Sequence, residues 1–285
     1  MSNGQALEAS LRGRLKRSSA RRVLVGDRVK LEFHDDSSVT IEEIYPRTSL
    51  LKRRNPGEKR GAREVAANLD QVLTVGAVAD PQWDQQLMNR FIVVAEASDL
   101  PVTVVINKID LRSEPEKLAS VFRTVGYEVL LTSATENVGI DELRHVLEGK
   151  ISLFNGPTGV GKSSLLNAVQ PGLRLRTAEV SARTRSGRHT TVSAEMLPLD
   201  RGGFVVDTPG LRDIGLWGID PGDVADAFPE IARASVNCRF DNCRHVAEPD
   251  CSVLAGCEDG TIDPHRVESY QKFLAEAERA SRHWE

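Results

Sequence analysis

The chain has 285 residues, of which 40% are hydrophobic and 27% are charged, and its formal net charge is −4. This length predicts about two domains, or three if one is small. The net charge argues against a uniformly basic nucleic-acid binder. No run of eighteen apolar residues occurs and the start has no secretory-signal pattern, so we expect a cytoplasmic protein without a membrane span.

Charge is distributed unevenly along the chain. Residues 1–70 contain 15 Lys and Arg against 10 Asp and Glu, whereas the other 215 residues contain 22 against 31. A small β-barrel with basic loops would suit contact with a phosphate backbone. Because Phe33 and Tyr45 are the only aromatic residues in this part, base stacking is less favoured. Solvated loops on a barrel with only a stabilising role are the alternative.

The first region alternates in the manner of short strands. Residues 27–33 and 38–44 show this period-two pattern and predict two strands. Pro46 and the polar run that continues through Gly61 predict a linker.

From Ala66 onward, predicted strands alternate with predicted helices. A strand is expected at Val72–Val75 and a helix from Trp83 to Ala97. Ser113 and Glu116 have the spacing of a capping box at the start of a further helix. This alternation predicts a mostly parallel sheet covered on both sides.

The segment Asn107-Lys108-Ile109-Asp110 follows the apolar run 101–106, which predicts a strand. A carboxylate at Asp110 can accept hydrogen bonds from the ring N–H and the exocyclic amine of guanine, which adenine cannot supply. Another predicted strand, 128–131, leads into Thr132-Ser133-Ala134, where the backbone of Ser133 and Ala134 is expected to contact the base carbonyl. By itself, N-K-x-D could also be a surface turn.

Residues 156–163 read Gly-Pro-Thr-Gly-Val-Gly-Lys-Ser, the phosphate-binding loop G-x-x-x-x-G-K-[ST]. A predicted strand at 151–154 precedes it and a predicted helix at 164–169 follows, so its N–H groups would surround phosphates at a helix N-terminus. Lys162 is expected to reach the β- and γ-phosphates, and the Ser163 hydroxyl to bind Mg²⁺. The predicted nucleotide contacts here are Gly156, Pro157, Thr158, Gly159, Val160, Gly161, Lys162, Ser163 and Ser164.

Downstream, the predicted strand 203–206 ends in Asp207-Thr208-Pro209-Gly210, a D-x-x-G arrangement. Asp207 is expected to face the Mg²⁺ shell, and the N–H of Gly210 to contact a γ-phosphate. In an ordinary GTPase the N-K-x-D segment follows the phosphate loop, whereas here it precedes it. The order of the motifs therefore predicts a circularly permuted GTPase.

Four cysteines, Cys238, Cys243, Cys251 and Cys257, all lie near the C-terminus. In a cytoplasmic chain they favour a metal site over disulfides. Cys238, Cys243, His245 and Cys251 form a tight group whose three thiolates and one imidazole suit a structural tetrahedral Zn²⁺. By spacing alone Cys257 could replace His245, and the absence of any metal is a further alternative. Asp263 and Pro264 then predict the start of a helix.

These motifs resemble the bacterial small-ribosomal-subunit biogenesis GTPases of the RsgA (YjeQ) type. The resemblance covers almost the whole chain and includes residues 25–29 (Val-Gly-Asp-Arg-Val) and 187–191 (Gly-Arg-His-Thr-Thr). It implies an N-terminal OB-type β-barrel (residues 1–65), a circularly permuted α/β P-loop GTPase domain (66–220) and a C-terminal zinc-binding, mostly helical domain (221–285). The family usually has another strand or two before residues 10–15, so an incomplete barrel is expected.

The proposed reaction is Mg²⁺-dependent attack of water on the γ-phosphate of GTP, giving GDP. Thr190 or Thr191 is the candidate switch threonine for Mg²⁺, and Thr191 is preferred. Leu211 stands where Ras-like enzymes place a water-orienting Gln, so unassisted hydrolysis should be slow. His189 is the candidate replacement, and its alternative role is contact with RNA or neighbouring backbone alone.

The resemblance further implies GTP or GDP, Mg²⁺ and one structural Zn²⁺ as ligands, and the 30S subunit with its 16S rRNA as partner. It implies action late in subunit maturation, with hydrolysis stimulated by the subunit. A monomer without membrane contact is expected. Two other functions stay open: a GTP-switched RNA-binding assembly factor whose hydrolysis is incidental, and a zinc-stabilised RNA binder with a degenerate nucleotide site. The intact Lys162, Asp110 and Asp207 argue against the latter.

Overall fold

The computed structural model describes residues 7–13, 22–53, 63–173, 195–207 and 219–282. Within them, the strands are β1 (Ser10–Leu11), β2 (Val29–Phe33), β3 (Val39–Ile44), β4 (Leu50–Arg53), β5 (Arg63–Ala67), β6 (Gln71–Ala77), β7 (Val102–Asn107), β8 (Glu128–Leu131), β9 (Ile151–Asn155), β10 (Glu195–Pro198) and β11 (Phe204–Asp207). The α-helices there are α1 (Gln85–Glu96), α2 (Pro115–Val125), α3 (Ile140–Leu147), α4 (Lys162–Val169), α5 (Pro229–Ser235), α6 (Ser252–Glu258) and α7 (Pro264–Arg282).

A six-stranded sheet forms the centre of the described structure, with the spatial order β10-β11-β9-β6-β7-β8. All neighbouring strands are parallel except β10, which is antiparallel to β11. Every residue of β6 is buried, as expected of a strand that is covered on both faces. The predicted mostly parallel sheet is confirmed.

Helices cover both faces of this sheet. On β7, Val105 packs in the cluster formed with α3 and α4, whereas Val104 and Ile106 pack in the cluster formed with α1 and α2. This follows from the period of two along a strand, which sends successive side chains to opposite faces.

The chain order of the strands shows the circular permutation. Strand β9, which leads into the phosphate loop, lies between β11 and β6. Strands β6, β7 and β8 precede β9 in the chain, whereas β10 and β11 follow it. Because parallel strands share one carboxyl edge, the loops that follow β7, β8 and β9 meet there, whatever their order in the chain.

The predicted capping box at Ser113 and Glu116 is wrong. Helix α2 begins at Pro115, and the preceding Glu114 has a φ of 69° and makes no side-chain cap. Proline suits the first helical position because its fixed φ is helical and its missing N–H is not needed there. Glu116 instead pairs with Arg123.

The N-terminal strands form two small sheets, β1-β3-β2 and β4-β5, which fit an OB-type barrel. Strands β2 and β3 confirm the predicted period-two strands. The predicted linker from Pro46 to Gly61 is wrong in part, because residues 50–53 form β4, antiparallel to β5. Leu51 is buried in this pairing, which brings it into the same core cluster as Ala66.

Part-buried polar contacts hold the junction between the N-terminal strands and Asn68, in the segment that leads into β6. Arg47 donates to Asp27 over 2.8 Å and to Glu64 over 2.7 Å. Asn68 donates to the carbonyl oxygen of Gly26 over 2.8 Å and accepts from the backbone N–H of Thr48 over 2.9 Å. Residues 25–29, which carried part of the family resemblance, therefore lie at this junction.

The C-terminal region packs against the central domain through α7, which contacts α1. Asn89 of α1 donates to the Ser269 hydroxyl over 2.9 Å. The guanidinium of Arg90 makes a bidentate pair with Glu276, with distances of 2.9 and 2.7 Å. The predicted cap of α7 is confirmed, because Asp263 accepts from the backbone N–H of His265 over 2.9 Å. None of the helices among the described residues has both the length and the apolarity of a membrane span.

Candidate functional site

The phosphate-loop sequence lies between β9 and α4, the context that the sequence predicts. Gly156 has a φ of 132°, and a β-carbon there would lie 2.1 Å from the carbonyl oxygen of Val75. Gly161 has a φ of 96°, and a β-carbon there would lie 2.3 Å from the amide nitrogen of Asn107. Only glycine fits these close approaches, so Gly156 and Gly161 are required by packing as well as by any ligand.

Lys162 begins α4 and folds back over the loop. Its ammonium group donates to the main-chain oxygen atoms of Gly156 and Pro157, both over 2.6 Å. Ser163 is the next helical residue, so its hydroxyl lies in the first turn of α4. The first N–H groups of an α-helix generally have no acceptor within the helix, which makes a helix start suited to anions.

Asn107 joins the predicted base-reading segment, residues 107–110, to the phosphate loop. It is 1% exposed, and its amide donates to the carbonyl oxygen of Val160 over 2.9 Å. Its side-chain oxygen accepts from the Thr132 hydroxyl over 3.1 Å. One side chain at the end of β7 therefore links the loops that follow β8 and β9. The sequence did not predict this role for Thr132.

Asp110 lies beside Ser133, as the combination of N-K-x-D with the Ser-Ala turn predicts. The carboxylate accepts from the Ser133 hydroxyl over 2.5 Å, and this hydrogen bond lowers the pKa of Asp110 below its ordinary value. The Ser133 oxygen also accepts from the backbone N–H of Glu136 over 3.1 Å, which fixes the turn. Asp110 is exposed, so its charge is accessible to a ligand at the carboxyl edge of the sheet.

Several predicted site residues fall outside the described part of the chain. These are His189, Thr190, Thr191 and Gly210, together with the side chain of Asp207. The backbone of Asp207 ends β11, whose Val206 is paired with Leu153 of β9. This places the end of β11 next to the strand that leads into the phosphate loop.

A second candidate site lies in the C-terminal region. Potential ligand atoms of Cys238, Cys243, His245 and Cys251 all lie within 4.8 Å of one another. The Sγ atoms of Cys238 and Cys251 are 3.9 Å apart, and they lie 3.6 and 3.3 Å from Nδ1 of His245. A tetrahedral zinc with ordinary bond lengths would separate two sulfur atoms by about 3.8 Å and sulfur from nitrogen by about 3.6 Å. The cluster therefore has the size of a four-coordinate zinc site.

The surroundings hold the imidazole of His245 in place. The residue is 2% exposed, its backbone has a φ of 56°, and its carbonyl oxygen accepts from Gln271 of α7 over 2.8 Å. Burial lowers the pKa of His245, which favours the neutral imidazole that binds metals. Burial raises the pKa of Cys243 to about 12, a shift that a bound cation would reverse. Cys257 lies outside the cluster and packs against the core.

Comparison with known proteins decides the family. The family described as RsgA GTPase matches residues 44–217. A Gemmatimonas aurantiaca protein named small ribosomal subunit biogenesis GTPase RsgA is 48% identical over 280 residues, covering 96% of this chain and 91% of the relative. This chain belongs to the RsgA family of GTPases. A Moorella thermoacetica protein of the same name is 42% identical over 276 residues, with 96% and 91% coverage.

Solved structures agree with the RsgA fold. The crystal structure of YjeQ from Thermotoga maritima matches with a TM-score of 0.76 at 36% identity, covering 94% of this chain and 89% of that chain. The structure of YloQ, described as a circularly permuted GTPase, matches with a TM-score of 0.73 at 30% identity, covering 94% and 86%. The predicted family and the predicted permuted GTPase fold are confirmed.

Proposed function

We propose that this chain hydrolyses GTP in the biogenesis of the small ribosomal subunit. The observation that carries the proposal is the convergence of Asn107, Asp110 and Ser133 with the phosphate loop at one edge of the sheet. Both relatives compared above carry the name of a small ribosomal subunit biogenesis GTPase.

The nucleotide is assigned to the carboxyl edge of the sheet. The backbone of residues 156–164 surrounds the phosphates, and Lys162 exchanges its main-chain partners for the β- and γ-phosphates. Asp110 accepts from the ring N–H and the amine of guanine, while Ser133 and Ala134 contact the base carbonyl through their backbone. Because Asp110 is ionised at neutral pH, adenine would leave the carboxylate without donors, which disfavours its binding.

Magnesium is assigned to oxygen donors next to the phosphate loop. Ser163 in the first turn of α4, Asp207 at the end of β11 and Thr191 supply hard oxygen ligands of the kind that Mg²⁺ prefers. When bound, Mg²⁺ neutralises negative charge on the phosphates. His189 is proposed to orient the attacking water, since Leu211 cannot.

Zinc is assigned to Cys238, Cys243, His245 and Cys251. The tetrahedral size of the cluster and its soft thiolate ligands support this choice of metal. Helices α5 and α6 have seven residues each, so the C-terminal region contains little regular structure apart from α7. We infer that the metal stabilises this region directly.

The small subunit and its 16S rRNA are the proposed partners. The excess of Lys and Arg in residues 1–70 and the small N-terminal sheets support contact with a phosphate backbone.

GTP turnover with and without purified small subunits tests the proposal. We expect slow GTP turnover by the protein alone and strong stimulation by subunits. We expect Asp110→Asn to abolish both the basal and the stimulated turnover. Tight nucleotide-dependent subunit binding without stimulation would instead favour a GTP-switched assembly factor whose hydrolysis is incidental.

A further inference from the structure

The turn between β6 and α1, residues 78–82, contacts the proposed nucleotide site, although its sequence carries no recognised motif. The backbone N–H of Val78 donates to the carbonyl oxygen of Asn107 over 3.0 Å. The Lys108 ammonium donates to the carbonyl oxygen of Asp80. The ring of Pro81 lies beside the phosphate loop, since a β-carbon on Gly159 would be 3.4 Å from its Cδ. One turn therefore touches both the base-reading segment and the phosphate loop.

The path of the Lys108 side chain depends on this turn. The Lys108 backbone is left-handed, with a φ of 61°, and its Cε lies 3.9 Å from the β-carbon position of Gly161. The side chain thus leaves the base-reading segment, passes the phosphate loop and ends on Asp80. A free lysine side chain has many rotamers, and this hydrogen bond selects among them before any ligand binds.

The far end of the turn is fixed by packing. The Trp83 ring makes an edge-on contact with Phe122, with centroids 6.1 Å apart, and its Nε1 donates to Gln85 over 3.1 Å. Asp84 caps α1 by accepting from the backbone N–H of Leu87 over 2.9 Å. The carbonyl oxygen of Asp80 therefore lies between the capped start of α1 and the end of β6.

We propose that the Asp80–Pro81 turn positions Lys108 for guanine-nucleotide binding, a role that rests on the function proposed above. The contact is made to Lys108, which belongs to the base-reading segment, and GDP and GTP carry the same base. It therefore strengthens the binding of GDP and GTP equally and leaves the hydrolysis step unchanged. Pro81 and the Asp80 carbonyl act through Lys108, so they are positioning groups.

A double-mutant cycle on the full-length, zinc-loaded protein tests the proposal. Pro81→Gly frees the turn and is expected to weaken GDP and GTP binding alike by about tenfold, the effect of losing one hydrogen bond to a charged group. The turnover rate at saturating GTP is expected to stay unchanged while KM rises. In a Lys108→Ala background, Pro81→Gly should cause no further loss. Pro101→Ala, an exposed proline at the opposite end of β7, is the matched control and should leave affinity unchanged.

The outcomes separate this inference from the proposed function. If the wild-type protein binds GDP and Lys108→Ala weakens binding, but Pro81→Gly does not, only the role of the turn is overturned. An equal tenfold loss in both backgrounds also overturns it, because the turn would then act without Lys108. Absence of guanine-nucleotide binding by the wild type overturns both. Thermal unfolding and zinc content establish that each variant is folded, and Pro81→Ala replaces Pro81→Gly should the latter fail to fold.

Discussion

The side-chain amide of Asn107 donates a 2.9 Å hydrogen bond to the carbonyl oxygen of Val160. This contact joins the proposed base-reading motif to the proposed phosphate-binding motif, which are separated in the chain and stand in reversed order. Since Asn107 is buried and also accepts from Thr132, its side chain contributes to the shape of the site even without a ligand.

Replacing Asn107 by alanine should damage both the fold and the site. The Val160 carbonyl would lose its partner inside the protein, so we expect the free energy of unfolding to fall by about 1–3 kcal/mol. We expect GDP affinity to fall by at least about tenfold, measured by calorimetry alongside thermal unfolding. Asn237→Ala, at an exposed position in the C-terminal region, is the control. Wild-type affinity in Asn107→Ala would contradict the proposed coupling of the two motifs.

Asp110→Asn should change the base that the site prefers. An amide can donate to the carbonyl of xanthine where the carboxylate accepts from the amine of guanine. We expect guanine nucleotides to lose about two orders of magnitude or more in affinity, and xanthine nucleotides to gain. Competition between GDP and XDP for a fluorescent nucleotide measures this exchange. A variant that still prefers GDP would show that Asp110 does not read the base.

The cysteines offer a matched pair of substitutions for the metal site. Cys243→Ser removes a proposed ligand, whereas Cys257→Ser changes a cysteine outside the cluster. We expect Cys243→Ser to lose bound zinc and to unfold at a lower temperature, because the proposed metal would stabilise this region. Cys257→Ser should retain one zinc per chain by elemental analysis. If Cys257→Ser lost zinc and Cys243→Ser retained it, Cys257 rather than Cys243 would be a zinc ligand.

The Arg266–Glu230 pair should contribute to the docking of the C-terminal region. Arg266 is fully buried and its guanidinium donates to Glu230 over 2.6 and 3.1 Å and to Asn89 of α1 over 3.0 Å. Because Glu230→Gln removes the carboxylate that is hydrogen-bonded to a buried guanidinium, we expect a loss of about 3–5 kcal/mol in unfolding free energy.

An exposed ion pair on the same helix provides the comparison. Glu268 pairs with Lys272 over 2.7 Å, and both side chains are about half exposed. Glu268→Gln should cost about 0–1 kcal/mol. Chemical denaturation measures the loss of unfolding free energy in both variants. Equal losses would mean that burial does not determine how much the Arg266–Glu230 pair contributes to stability.

The sequence predicts the elements that depend on local pattern. Strands β6, β7, β8 and β9 are short, mostly apolar runs, and the motifs that follow them have fixed spacing. Strand β4 was not predicted because it pairs with residues 63–67, and a polar segment separates the two strands in the sequence. The start of α2 was misplaced because Pro115 overrides the capping pattern.

Contacts between distant segments were not predictable in the same way. The turn at Asp80 has no motif, and its relation to Lys108 exists only after β6 and β7 pair. Arg266 has the sequence pattern of an ordinary surface residue in a helix, and it is buried because α7 packs against Asn89 of α1 and Glu230 of α5. Such relationships depend on which elements become neighbours, which a single sequence does not specify.

The relative affinity of the purified protein for GDP and ADP tests the central claim most directly. The claim is that two motifs in reversed chain order form one pocket in which Asp110 selects guanine. It predicts that GDP binds at least about a thousandfold more tightly than ADP. Equal affinity for the two nucleotides, or binding of neither, would contradict it.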